Sequence, residues 1–241
     1  VVERPLADLK RAAKAAGGTV NDAFIAAVAA GLGDYHRSRG DDSTHEVRLN
    51  MPVNLRPKGD TSVGGNAWVP ARFLVPIVPM DARTRIRRLS PLLLQARTEP
   101  ALPISGFVMS RLTQLPRPLT AAVAGGMMKG TDVAATNVPG PPIPVYLSGA
   151  KVELMVPFAP KGGAAVNVAL MSYNGVAQFG INVDTGAVPD PEALVECLVK
   201  GLDDVLDVGR EDAATPSGSG SVRKAPVRKA PARKASTAPT T

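Results

Sequence analysis

Residues 166–183 read VNVALMSY-NG-VAQFGINV, and this stretch decides the fold class. Val166, Val168 and Leu170 alternate with Asn167, Ala169 and Met171 on the way to Tyr173. Beyond Asn174-Gly175, Ala177, Phe179, Ile181 and Val183 alternate with Gln178, Gly180, Asn182 and Asp184. Period-two patterning marks a strand with one apolar face. Asn-Gly between two such runs is the strongest local hairpin signal, because a type I′ turn needs positive φ at both central residues. The sheet therefore holds at least one antiparallel pair.

Helix and strand patterns alternate on either side of the hairpin. Downstream, Asp190-Pro191-Glu192 supplies a cap, an N1 proline and a first-turn acid, with Leu194, Val195, Leu198, Val199, Leu202 and Leu206 pointing inward. Upstream, Leu6, Leu9, Ala13 and Ala16 share a helical face that Gly17-Gly18 stops. Thr19 and Asp22 come close to a capping box for a second helix bearing Phe24, Ile25, Val28 and Leu32, with Gly33 as its end. Val47, Leu49, Met51 and Val53 predict a half-buried strand. After a turn-rich stretch from Arg56 to Asn66, an extended run covers Trp68 to Val78, where Pro70, Pro76 and Pro79 place it at a sheet edge or at bulges. Asp81 caps a third helix through Ile86, Leu89, Leu93 and Ala96. Pro100 to Lys129 is apolar and helix-biased but broken by prolines, and β patterning returns at Val133–Val138 and in the alternation of Val152, Leu154 and Val156. Without a strict βαβ rhythm, these elements predict an α/β layered domain whose sheet is mixed or largely antiparallel.

Charge divides the chain at residue 212. Of 28 basic residues, six lie in the segment 213–241, which has no acidic residue and repeats Arg-Lys-Ala at 223, 228 and 233. Residues 1–212 hold 22 basic and 21 acidic side chains, so the formal charge of +7 reports the tail and the folded part is neutral. The tail's Ser, Gly, Pro, Ala and basic composition predicts disorder. Six charges without aromatics give weak, salt-sensitive, sequence-blind attachment, suited to an anionic lipid surface rather than to specific nucleic acid. No apolar run reaches the roughly 18–20 residues that span a bilayer. Val1 to Pro5 lacks the features of a signal peptide and reads like a chain joined partway through a longer protein.

Catalytic candidates are sparse. Two histidines, His36 and His45, flank a polar loop and read as solvated, and the single Cys197 reads as a structural thiol on a helix. These residues leave no metal site to predict. Arg83, Arg85, Arg87 and Arg88 offer an anion contact, though a solvated helix face is the plainer reading. Thr136-Asn137-Val138-Pro139-Gly140-Pro141-Pro142 ends a short apolar strand abruptly, and Asn137 brings a donor and an acceptor to its terminus.

Two of these stretches resemble motifs of one family. Asn21-Asp22-Ala23-Phe24-Ile25-Ala26 resembles the Asn-Asp motif that opens a helix in the bacterial wax ester synthase/acyl-CoA:diacylglycerol acyltransferase family, and Thr136-Asn137-Val138-Pro139-Gly140-Pro141 resembles its Ser-Asn-Val-Pro-Gly-Pro motif, with Thr for Ser. Pro52-Val53-Asn54-Leu55-Arg56, Gly65-Asn66, Tyr146-Leu147-Ser148-Gly149-Ala150 and Val188-Pro189-Asp190-Pro191 are similar as well, in family order, so that the likeness runs from about Pro5 to Leu206.

The resemblance implies a chloramphenicol-acetyltransferase-like domain, a mixed sheet flanked by helices over residues 1–212, as one of two halves with a channel between them. It implies acyl transfer from acyl-CoA, as substrate and without a further cofactor, to diacylglycerol or a long-chain alcohol. The family's His-His-x-x-x-Asp-Gly signature lies in the N-terminal half, and no two histidines are adjacent here. The chain thus resembles the C-terminal half and is expected to need an N-terminal catalytic half, from the same precursor or a separate chain. No catalytic residue is carried over; Asn21, Asp22, Thr136, Asn137 and Gly140 are carried over as channel or active-site support. The alternative is a non-catalytic remnant, or a module that binds lipid or a partner. The implied location is cytoplasmic, with peripheral contact at the inner membrane face or lipid droplets.

Overall fold

The computed structural model describes residues 1–54, 68–98, 116, 118–120, 130–160 and 162–214. Strands β1 (Val2–Pro5), β2 (Glu46–Asn54), β3 (Trp68–Pro76), β4 (Val133–Pro139), β7 (Val166–Tyr173) and β8 (Val176–Val183) form one sheet in the order β1-β8-β7-β4-β2-β3, and β5 (Tyr146–Leu147) pairs with β6 (Ala150–Lys151) in a separate hairpin. Helices α1 (Leu6–Ala15), α2 (Val20–Ser38), α3 (Ala82–Thr98) and α4 (Pro191–Ala214) complete the described elements. The sheet is mixed. β4 runs parallel to both β2 and β7, whereas β1–β8, β7–β8 and β2–β3 are antiparallel.

The local signals explain most of these elements. Asn174 (φ 45°) and Gly175 (φ 84°) form the tight turn between β7 and β8, with Tyr173 opposite Val176. Helix α1 ends in a Schellman arrangement. Gly17 takes the left-handed conformation at φ 77°, and the Gly17 and Gly18 amides donate to the Lys14 and Ala13 carbonyls. At the start of α2 the capping box is complete. Asp22 N donates to Thr19 Oγ1 at 3.2 Å and Thr19 N to Asp22 Oδ2 at 2.8 Å. Asp81 caps α3 by accepting from Thr84 N at 2.8 Å. β3 is an edge strand, as its prolines require.

The four helices pack on the face that carries Val47, Leu49, Met51, Val166, Val168, Leu170 and Phe179, all buried. Helices α2 and α4 approach closely because glycines line their crossing. A Cβ on Gly31 would lie 2.5 Å from Leu198 Cα, and one on Gly201 would lie 2.5 Å from the Ala27 carbonyl oxygen. Val195 and Val199 are only half-buried, whereas Leu194, Leu198, Leu202 and Leu206 enter the core.

Several expectations need correction. Gly33 does not end α2, which continues to Ser38 and closes at Gly40 (φ 73°). Gly33 is glycine because the Ile77 carbonyl oxygen passes where its Cβ would stand, 2.1 Å away. Val152, Leu154 and Val156 do not form a strand. Their segment crosses the sheet face opposite the helices and bonds to side chains: Met155 N donates to Gln178 Oε1 at 3.0 Å, Tyr173 Oη donates to the Val152 carbonyl at 2.7 Å, and Asn167 Nδ2 donates to the Pro160 carbonyl at 3.0 Å. Gly180 lets it lie flat, since any Cβ there would meet the Pro157 carbonyl oxygen at 1.7 Å. The Arg face of α3 is only partly solvated: Arg83 donates to the Ala15 carbonyl at the end of α1 and buried Arg85 to the Pro76 and Val78 carbonyls, whereas Arg87, which donates to the Ala16 carbonyl, and Arg88 stand exposed. β1 was not anticipated; four residues are too few to show a period.

Helix α4 takes in Ala213 and Ala214, the first residues assigned to the tail. The rest of the tail, the turn-rich stretch, Leu55-Arg56, Gly65-Asn66 and nearly all of Pro100 to Lys129 lie outside the described residues. Among the described residues no single helix is long and apolar enough to cross a membrane.

Candidate functional site

The three parallel strands β2, β4 and β7 end at one edge of the sheet. Pairing between β2 and β4 is confined to Leu49 with Val133 and Asn50 with Ala134. Beyond that point β2 keeps company with β3 as far as Asn54, and β4 stays with β7 as far as Pro139. Pro52 has no N–H to offer β4. The two strands therefore part at their carboxyl ends, the side of an open α/β sheet where ligands commonly bind.

The start of α2 stands on the β2 bank of this parting. Asn21 Nδ2 donates to the Met51 Sδ at 3.3 Å, at the first residue past the shared ladder. Asp22, 3% exposed, is occupied by the capping box and fixes where the helix begins. On the other bank, Thr136 and Asn137 of β4 lie opposite Ala169 and Leu170 of β7. Both are half-buried, and neither side chain has a hydrogen-bond partner among the described residues. By strand alternation Asn137 shares the helix side of the sheet with Val133 and Ala135, and Thr136 the opposite side. Gly140 then pins the strand end: its N–H donates to the Ser172 carbonyl at 2.9 Å, and a Cβ would lie 2.3 Å from that oxygen. The fold thus brings Asn21, Thr136 and Asn137 to one sheet edge and gives Asp22 and Gly140 structural tasks.

Two residues were missed by the sequence reading. Asn50 Oδ1 and Asn167 Oδ1 are buried without a partner among the described residues. In register they flank Ala134 on the Thr136 side of β4. Asparagine is uncommon inside strands, which is a weak signal, and only the pairing of three strands aligns the two.

At the root of the parting, Arg48 and Asp132 hold the strands together. Asp132 accepts from Arg48 N at 2.8 Å, Nε at 3.1 Å and Nη2 at 2.7 Å, and these bonds hold its carboxyl below the usual carboxylate range. The other candidates are accounted for. His36 Nδ1 is 2.9 Å from Asp41 Oδ2, and burial raises the Cys197 thiol pKa, which keeps it a poor nucleophile.

Comparisons with known proteins bear on the family and the fold. The sequence model described as "WS/DGAT C-terminal domain" matches residues 65–205. A Mycobacterium tuberculosis protein that carries the name of a diacylglycerol O-acyltransferase is 35% identical over 201 residues, covering 83% of this chain and 40% of that protein. A second M. tuberculosis protein of that name is 28% identical over 211 residues, covering 84% and 44%. The chain thus spans less than half the length of these relatives. Among solved structures, the wax ester synthase/diacylglycerol acyltransferase of Marinobacter aquaeolei VT8 superposes with a TM-score of 0.61 at 22% identity, covering 86% of this chain and 48% of that one. The condensation domain of the enacyloxin polyketide synthase superposes at 0.55 with 12% identity, covering 85% and 39%. Both show the shared fold. This chain belongs to the WS/DGAT acyltransferase family and constitutes its C-terminal domain.

Proposed function

We propose that the chain is the C-terminal half of an acyl-CoA-dependent O-acyltransferase that esterifies diacylglycerol or a long-chain alcohol. The observation that carries this reading is the placement of Asn21 and the Thr136-Asn137 pair on the two banks where β2 and β4 part, with no partner for the Asn137 amide among the described residues. In the proposed reaction a histidine of the N-terminal half takes the proton of the acceptor hydroxyl. The oxygen attacks the thioester carbonyl, the C–S bond breaks, and the coenzyme A thiolate leaves with the proton returned to it. This chain supplies the opposite wall. Asn137 offers an N–H to the carbonyl oxygen or an amide of the acyl donor, and Thr136 offers a hydroxyl along the same strand. Each half is chloramphenicol-acetyltransferase-like in this reading. The basic tail adds peripheral attachment to anionic lipid, worth about 1 kcal/mol per basic residue near the surface.

The test compares incorporation of labelled acyl-CoA into neutral lipid by this chain alone, an N-terminal half alone, and the two together. Only the mixture is expected to be active. Asn137→Ala is expected to lower its turnover by about tenfold or more without changing the chain's melting temperature. Unchanged turnover removes Asn137 from the reaction, and activity of the 241-residue chain alone overturns the reading as a whole.

A further inference from the structure

On the sheet face opposite the helices, one row of residues runs in register across five strands: Arg72 of β3, Asn50 of β2, Ala134 of β4, Asn167 of β7 and Asn182 of β8. Half of the row is in use. Asn182 Nδ2 donates to the Ala159 carbonyl at 3.5 Å and Asn167 Nδ2 to the Pro160 carbonyl at 3.0 Å, so the sheet grips the crossing segment through side-chain amides. The chain then turns at Gly162 (φ 56°) and Gly163 (φ 82°) into β7. From there toward β3 the row has no partner among the described residues. Asn167 Oδ1 and Asn50 Oδ1 are buried and unpaired, and the Arg72 guanidinium is exposed and unpaired. Asn167 is 3% exposed, and its bond to Pro160 fixes which amide atom is the nitrogen, since the reverse would set two carbonyl oxygens together. A buried amide oxygen held in this way calls for a donor. Between the two asparagines β4 presents only the methyl of half-buried Ala134, and strands about 4.8 Å apart put Asn50 and Asn167 roughly 10 Å from each other.

We propose that this row binds the phosphopantetheine arm of the acyl donor above Ala134, with Asn50 and Asn167 accepting from its two amide N–H groups and Arg72 meeting its phosphates. The proposal rests on the reading of the chain as one half of an acyl-CoA-dependent enzyme. Three observations favour this ligand. Two acceptor oxygens in one row match a chain with two amide N–H groups in succession, whereas the single hydroxyl of an alcohol or diacylglycerol would leave one oxygen unpaired. The row ends on a cation without a partner among the described residues, the complement of a phosphate joined to that amide arm. Thr136 stands two residues beyond Ala134 on the same face, so an arm lying over Ala134 brings its thioester toward the strand end where the reaction is placed. The same side-chain type already binds the backbone of the crossing segment next door.

The test titrates the chain with pantetheine, coenzyme A and pyrophosphate and follows backbone and asparagine amides by NMR. Pantetheine is expected to shift amides at 132–136 and 166–168. Ala134→Val adds methyl groups between the two asparagines and suits a strand, so it is expected to weaken pantetheine and coenzyme A about tenfold or more at an undiminished melting temperature. Asn50→Leu, which breaks no side-chain bond among the described residues, is expected to weaken both as well. Arg72→Gln is expected to weaken coenzyme A by about threefold or more and to leave pantetheine unchanged. No shift in either stretch, or pantetheine binding that Ala134→Val or Asn50→Leu leaves intact, overturns the proposal. So does equal binding of pyrophosphate and coenzyme A, which identifies an anion contact at Arg72 only. A slowly exchanging water at Asn167 that pantetheine does not displace overturns it too, with solvent as the donor. Transfer by the mixture of halves is read separately, where Ala134→Val is expected to raise KM for acyl-CoA about tenfold. Transfer with KM unchanged in that variant sinks this site and keeps the acyltransferase reading, and pantetheine shifts without any transfer do the reverse.

Discussion

Gly31→Ala sets two effects of opposite sign against each other. In a helix interior, alanine is favoured over glycine by about 1 kcal/mol, so a solvent-facing Gly31 would predict a more stable variant. The structure predicts the reverse. The new methyl would stand 2.5 Å from Leu198 Cα and 2.8 Å from the Cys197 carbonyl oxygen and Leu198 N, all backbone atoms of α4. Carbon pairs rest at about 3.5–4.0 Å, so α2 and α4 must separate by roughly 1 Å. No side-chain rotation relieves the clash, and the facing Gly201 is equally confined, its Cβ position 2.8 Å from Gly31 N. Overpacking of this kind costs about 1–3 kcal/mol, and parting the helices also thins the contacts of Leu198 and Leu202 with the core. After the gain in propensity, a net loss of about 1–2 kcal/mol is expected, a fall of roughly 2–8 °C in melting temperature for a domain of this size. Urea unfolding followed by circular dichroism measures it. A midpoint equal to or above that of the parent chain refutes the close crossing.

Three further outcomes are expected. Asp22→Ala removes the acceptor for Thr19 N and is expected to cost about 1–2 kcal/mol in urea unfolding, where Asn21→Ala costs much less; equal losses would mean that the capping box is not what matters. Asp132 titrates below its ordinary range because of Arg48, so its contribution is present above the unfolded carboxylate pKa and is lost as pH falls through the lower folded one. Asp132→Asn should therefore destabilise the chain at pH 7 by about 1 kcal/mol and flatten the stability profile below about pH 4. A parallel shift at every pH would show that charge is not involved. Tyr173→Phe removes the hydroxyl that joins Val145 N to the Val152 carbonyl, and faster hydrogen exchange confined to about 143–155 is expected, a local loss of about 1–3 kcal/mol that leaves exchange of the core amides unchanged.

Much of the site was legible as motifs before it was legible as a place. Asn21-Asp22 and Thr136-Asn137 stand more than a hundred residues apart, and nothing in their spacing says that they meet. Their likeness to one family proposes them for one site, and the contact of Asn21 with Met51 and the register of β2, β4 and β7 place them on the two banks where β2 and β4 part. That register also separates their tasks. Asp22 and Gly140 are consumed by the backbone around them, whereas Thr136 and Asn137 are left with polar groups to offer.

Features encoded within a few residues were determined by the sequence alone: the Asn174-Gly175 hairpin, the Thr19 and Asp81 caps, the Gly17 stop and the confinement of the proline-bearing β3 to a sheet edge or a bulge, of which the sheet order selects the edge. Each follows from φ, a missing N–H or a side chain reaching three residues along, and needs no distant partner. What only the tertiary structure decided depends on chain that arrives from elsewhere. Gly33 reads as a stop until Ile77 is laid against it, and Arg83 and Arg85 read as part of a solvated face until the carbonyls of Ala15, Pro76 and Val78 claim them. Val152 to Val156 read as a strand until Gln178 and Tyr173 claim their backbone groups. A backbone donor or acceptor must be paired when buried, but which of several partners pairs it is set by packing across the whole chain.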